Sequence, residues 1–480
     1  MPELLAWTRR FGLTLVVCIA TMLCFFAPDG HNDQRSLQVV ALLLAVPVFL
    51  GARFSGFTVI LGNRLVLLSI LSFFALGFAS SVIAYSPHHA FLELSFFLLL
   101  LVLAMGIAGE IAAHGASGLT RVLNILAAGC LLYFLQNLLI YLAATTTRTQ
   151  PVLGAFAPGF SNYRFLNHAQ TILLPLLVLQ CCRIPKGASA RWPMYALTGG
   201  WWTLLLLSSG RGTMMGLAAG TLLALCLRRR HAFGFCKTML LTALLGLAIY
   251  AVFFAFIPLL IGMHPFGMLQ DVAARTASDP TSSRWGLWHR ALDLMTAHPL
   301  LGVGPLHFAH YGIDVRIAAH PHDWVLQIGA EWGLPALCSV SGAIGLGLLG
   351  LLKTGHRIAP DDAQNQATLA AWIATGSAIL IDGLVSGLIV MPVSQLLIAL
   401  FIGCAAGWSW QFRHELAPQP PSFPVRAMAG SLILAALLVV VTTIQADIAK
   451  GGREGALNAA QAAWYDGNYY HPRIWVTGHF

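Results

Sequence analysis

Two short runs carry residue types suited to chemistry on an anionic substrate. Ala319-His320-Pro321-His322-Asp323 sets two histidines beside a carboxylate. Imidazole titrates near neutrality, so His322 can act as a general base toward a hydroxyl, with His320 and Asp323 supporting it. Asp323 or His322 can instead cap a helix, leaving two histidines at a membrane boundary. A metal site made by His320, His322 and Asp323 is a third reading, but no further ligand has convincing spacing. The second run, Ser208-Ser209-Gly210-Arg211-Gly212-Thr213, places an arginine between two glycines. Glycines let a large anion approach the backbone, the following helix N-terminus favours phosphate, and a guanidinium adds bidentate contacts. The plainer reading is an interfacial arginine that snorkels to the surface.

Further basic groups stand at comparable positions. Arg284 and Arg290 flank Trp285 and Trp288, where they suit either a diphosphate or lipid headgroups. Arg164 lies in Asn162-Tyr163-Arg164-Phe165-Leu166-Asn167-His168, where His168 can line the same cavity. Glu331 falls inside an apolar run, and a buried carboxylate there requires a partner that the sequence does not name.

The elements that position these residues follow from composition. Of 480 residues, 58% are hydrophobic and 9% charged, against about 25% charged in soluble domains. This excludes a chain of soluble domains and implies one all-α polytopic membrane domain, residues 1–446. The net charge of +9 is explained by loop topology rather than by nucleic acid. About 20 apolar residues span the hydrocarbon core as a helix. By that measure the spans fall near 11–27, 36–52, 65–85, 90–109, 122–144, 165–182, 193–208, 212–227, 238–262, 323–352, 367–388, 391–410 and 427–446. The first run passes into further spans without an A-x-A site, so it reads as a span and not as a leader. The nine cysteines sit mostly in apolar runs and read as small buried hydrophobes.

With the N-terminus in the cytoplasm, sixteen of the twenty-seven basic residues fall at cytoplasmic ends, as the positive-inside bias requires. These include Arg53, Arg64, Lys186, Arg228 and Arg357. The long loop 263–322 and the tail 447–480 then lie outside. The loop holds seven of the seventeen histidines. Within it, Trp285, Trp288, Leu292 and Met295 recur at helical spacing, which predicts an amphipathic helix on the outer membrane surface. In the tail, 453–466 suits a helix ended by Gly467. The tail is short for a domain. It either caps the membrane domain or belongs to a chain that continues further.

His320-x-His322-Asp323, followed by nine residues to Gly333 and two to Ala336, resembles the O-antigen ligase motif. Asp323 stands where that motif has an amide or hydroxyl, and Ala336 where it has Gly, Thr or Tyr. The flanking His298-Pro299-Leu300-Leu301-Gly302-Val303-Gly304-Pro305 and Ala330-Glu331-Trp332-Gly333-Leu334-Pro335 are similar to the wider superfamily of ligases, polymerases and protein O-oligosaccharyltransferases. So are the Ser-Ser-Gly-Arg-Gly run and Arg284 ahead of Leu287-Trp288.

The resemblance implies 12–13 spans and a donor glycan on undecaprenyl diphosphate, presented from the outer leaflet of the bacterial inner membrane. It implies His322 as the base, inversion at the anomeric carbon, no cofactor, and Arg211 and Arg284, with Arg290 or Arg164, on the departing diphosphate. Members differ in acceptor: lipid A core, another lipid-linked glycan, or a serine or threonine of a periplasmic protein such as a pilin. An outer tail and the run 162–171 look more like the pilin-modifying members, so protein O-glycosylation is the expected activity. A transporter or flippase of an anionic lipid is the competing class. It predicts internal repeats and midplane charges, and neither is seen in the sequence.

Overall fold

The computed structural model describes residues 2–51, 55–185, 187–267, 277, 284–315, 318–413, 422–449 and 473–475. Arg53, Lys186 and the expected helix 453–466 with Gly467 lie outside the described residues. The described chain is all α. In order come α1 (Pro2–Leu23), α2 (His31–Gly51), α3 (Ser55–Leu61), α4 (Arg64–Ile83), α5 (Pro87–Thr147), α6 (Tyr163–Arg183), α7 (Arg191–Ser208), α8 (Arg211–Arg228) and α9 (Phe233–Leu260). The long loop carries α10 (Trp285–Ala297) and α11 (Phe308–Tyr311). Then follow α12 (Trp324–Trp332), α13 (Leu334–Thr354), α14 (Ala363–Asp382), α15 (Pro392–Trp410) and α16 (Phe423–Ala449).

Each of the thirteen expected spans meets a helix. Seven helices among the described residues are long and apolar enough to cross a membrane: α4, α5, α6, α9, α13, α15 and α16. One expectation needs correcting: the run 323–352 is not one helix, because Gly333 breaks it at φ 87°, ψ 164°. The pair 90–109 and 122–144 falls on the two arms of α5, which are separated at Gly115 with φ 60°, ψ −141°. A short helix, α3, adds to the expected set; at seven residues it is too short to span.

Packing sorts the helices by depth. In α6, 94% of the apolar window is buried in the protein, against 22% in α4, α9 and α16 and 11% in α13. A helix buried on all sides belongs at the centre of a bundle. The sparsely covered helices leave Leu68, Leu244, Leu349 and Leu438 exposed, as a lipid-facing surface does. Close approach is set by glycine, as membrane helix pairs require. A Cβ on Gly220 of α8 would sit 2.4 Å from the Ala374 carbonyl of α14, and one on Gly216 would sit 2.9 Å from that of Ala378. This contact brings the end of α14 against the start of α8.

The α12–α13 break leaves carbonyls at the end of α12 without helical donors, and a buried helix end needs other partners. The loop supplies them. Val303 N–H donates to the Ala330 carbonyl at 3.0 Å, and Gly304 N–H to that of Glu331 at 2.9 Å. Leu334 N–H donates back to Pro299 at 2.9 Å. The expected amphipathic helix is α10. It buries Leu287, Ala291 and Leu294 and leaves Trp285 and Leu292 outward, 61% and 47% exposed.

The fit at Gly333 is tight enough to test. A Cβ there would lie 2.3 Å from the Leu300 carbonyl oxygen, on a backbone with positive φ. Gly333→Ala is expected to lower stability by about 1–3 kcal/mol, read as the thermal midpoint of purified protein in detergent. Gly342→Ala is the control, because its nearest neighbour would be Ser69 Oγ at an ordinary 3.5 Å. Equal midpoints for the two variants would contradict the fit.

Candidate functional site

His322 occupies a left-handed conformation, φ 56°, uncommon for a residue with a Cβ and typical of functional sites. The next residue starts α12. Asp323 Oδ1 accepts from Val325 N–H at 2.8 Å and Leu326 N–H at 3.0 Å, so Asp323 is the helix cap. His320 is fully buried, and its Nδ1 accepts from His322 N–H at 3.3 Å. A neutral His320 therefore carries its proton on Nε2. The two rings meet edge to face, 4.1 Å apart. A Cβ on Gly387 would lie 2.4 Å from His320 Cε1, so glycine makes the space for this ring. Trp324 N–H donates to the Gly383 carbonyl at 3.0 Å and ties the run to the end of α14.

The α7–α8 turn lies beside it. Ser209 is left-handed at φ 51°, and Arg211 is the first residue of α8, half-buried. Asn162 caps α6 through Arg164 N–H at 2.9 Å. One turn into α6, Asn167 donates to Ser208 Oγ at 2.6 Å. A Cβ on Gly210 would lie 2.8 Å from that same amide. Asp382, at the end of α14, accepts from Thr171 Oγ1 at 2.5 Å and Thr213 Oγ1 at 3.1 Å. A Cβ on Gly212 would meet Asp382 Oδ1 at 2.7 Å, which sets this carboxylate against the positive N-terminus of α8.

Electrostatics joins the His-Pro-His run to the start of α6 and to Arg284. Burial first, then the charges of His320, Arg284, His168 and Arg164, hold the His322 pKa well below its usual value. Burial, Arg473, His168, Arg284 and His31 do the same for His320. Arg284 also acts on Asp382. The structure thus gathers Arg164, His168, Arg284, His320 and His322 into one neighbourhood, while Arg211 is placed only as the first residue of α8. His322 is partly exposed, yet its Nδ1 is covered. Among the described residues that atom has no hydrogen-bond partner, nor do His168 Nδ1, His320 Nε2 and Asn167 Oδ1. Arg290 is engaged elsewhere, in an ion pair with Asp314 at the protein surface. Among the described residues no group of three or more His, Cys, Asp or Glu could hold a metal ion.

Glu331 has the partner that the sequence left unnamed. Arg473, from the tail, reaches Glu331 Oε2 at 2.6 Å and Glu93 of α5 at 2.6 and 2.8 Å. Glu93, Asp382, Arg35 and Arg473 were missed in the sequence. Glu93 had a usable signal, a lone carboxylate in an apolar run. Asp382 had the same signal at the end of one. Arg473 had none, because its polar surroundings gave no hint that it is buried.

No curated protein matches the chain. Residues 196–340, which run from α7 through the start of α13 and include both the Ser-Ser-Gly-Arg-Gly turn and the His-Pro-His run, match the family model described as O-Antigen ligase. Over this segment the chain is similar to O-antigen ligases, which supports a place in the wider superfamily of ligases, polymerases and protein O-oligosaccharyltransferases.

Proposed function

We propose that this protein transfers a glycan en bloc from undecaprenyl diphosphate to an acceptor hydroxyl at the outer face of the inner membrane, with inversion and without a metal. The observation that carries the reading is His322, held left-handed between a helix cap and a cluster of positive groups, with a covered Nδ1 that has no partner among the described residues. In the proposed step His322 takes the proton of the acceptor hydroxyl as its oxygen bonds to the anomeric carbon. The bond from that carbon to the diphosphate oxygen breaks, and the electron pair leaves with the diphosphate. Arg211, Arg284 and Arg164 would receive that charge, which is the largest electrostatic demand of the reaction. Arg290, already paired with Asp314, would take a lesser part and fix the loop. The acceptor we favour is a pilin-type protein. Arg473 of the tail faces the Ala319 carbonyl beside His320, which supports an outer tail.

The test is transfer by purified protein in detergent with chelator present. An undecaprenyl-diphosphate glycan would be the donor, with a pilin-type protein, lipid A core or further donor as acceptor in separate tubes. Product is expected in the pilin tube. Product only with lipid A core or donor would rename the acceptor, and intact donor in every tube would favour a transporter. His322→Ala should lose about 10²–10⁴-fold in kcat while remaining folded and inserted; retained turnover would remove it as the base. Arg211→Lys keeps the charge but loses the fork, and a fall of about tenfold is expected.

The pH profile gives an independent check. The pKa of His322 in the free protein lies well below the usual 6.5, so the neutral base persists as pH falls. The acid limb of kcat/KM reports the free enzyme and should fall below pH 6.5. An acid limb at pH 7 or above would assign the base elsewhere.

A further inference from the structure

The tail residue Arg473 lies 2% exposed among two carboxylates, and what it touches leads to the catalytic run from two sides. Its NH2 group serves Glu93 and Glu331. Glu331 Oε1 accepts from Phe308 N–H at 2.8 Å, which fixes the loop below the His-Pro-His run. Its NH1 group faces the Ala319 carbonyl at 3.5 Å, next to His320. With its amide oxygen turned inward, Gln327 of α12 accepts from NH1 and NH2 at 3.3 and 3.1 Å.

The tail backbone is held as firmly. Arg35 of α2 donates to the Arg473 carbonyl at 2.9 Å and the Ile474 carbonyl at 3.2 Å. The same guanidinium binds Val390 O at 2.7 Å, three residues beyond the glycine that cradles His320. Trp475 Nε1 donates to Asp447 at the end of α16. Arg473 thus pairs with both glutamates directly, while Arg35 holds the tail through its backbone carbonyls. Removing one partner from such a network costs far more than replacing the whole set.

We propose that Arg473 is a positioning residue for the reaction, and that the run Arg473–Trp475 is a strap that sets His320 and His322. This rests on the reading of His322 as the base. Arg473→Lys separates charge from reach. One ammonium can satisfy Glu93 and Glu331, but it leaves the Ala319 and Gln327 side unserved.

The experiment compares wild type, His322→Ala and Arg473→Lys in the transfer assay, together with amide hydrogen exchange across 318–322. Arg473→Lys is expected to keep its thermal midpoint, lose about tenfold or more in kcat, keep KM for donor, and exchange faster across 318–322. If Arg473→Lys proves unstable, Arg473→Met with Glu93→Gln and Glu331→Gln removes all three charges together and answers the same question. Wild-type kcat, increased transfer, or a rise in KM with kcat unchanged would each overturn the inference. Should wild type not transfer, or His322→Ala remain active, the proposed function fails instead. The exchange arm then judges the strap alone: unchanged exchange sinks it and faster exchange supports it.

Discussion

A charge removed from water must find its counter-charge inside the protein, and much of this architecture is arranged around one such set. Glu93 from α5, Glu331 from α12, Arg35 from α2 and Arg473 from the tail meet where helices far apart in sequence converge. None could be buried alone without a cost of several kcal/mol. Arg473 therefore fixes Glu93 and Glu331, and Arg35 fixes the tail through its backbone carbonyls. The break at Gly333 belongs to the same constraint. It turns α12 away from α13, so that Glu331 faces inward and the loop 298–304 can satisfy the carbonyls at the end of α12. The His-Pro-His run sits at the other end of that short helix, only nine residues away. Its geometry inherits the rigidity of the charge set.

What the sequence made legible follows from the range of the forces involved. Span positions rest on local hydrophobicity, and the thirteen runs all found helices. The Ser-Ser-Gly-Arg-Gly turn and the histidine run were legible because glycine, arginine and histidine at membrane boundaries have few bland uses. Features set by long-range contact were hidden. An apolar run reads the same whether or not Gly333 interrupts it, because the break is stabilised by Leu300 and its neighbours, some thirty residues earlier. The partner of Glu331 lies 142 positions away, across a stretch whose composition says nothing of burial. Asp382 showed as a carboxylate near a span end. Its tie to Thr171 and Thr213 depends on the glycine-mediated approach of α8 to α14.

The centre of the site has a consistent polarity. Three histidines lie close to Arg164 and Arg284, while three carboxylates of the surrounding elements are committed: Asp323 to the α12 cap, Asp382 to two threonines, and Glu331 to Arg473. Burial and these positive neighbours favour neutral imidazole at His322. Neutral imidazole is the form that can accept a proton, but a depressed pKa makes it a weak base. Both facts are reconciled if the anion that arrives is the substrate's own. In the proposed reaction a diphosphate drawn to the arginines would offset their repulsion of an imidazolium. As the glycosidic oxygen departed, negative charge would grow further at the same place. Proton uptake by His322 would then become favourable as the bond breaks. Coupling the strength of the base to the leaving group in this way also gives a reason for holding the histidines so firmly. A ring free to turn toward water would recover its ordinary pKa and lose that dependence on bound donor.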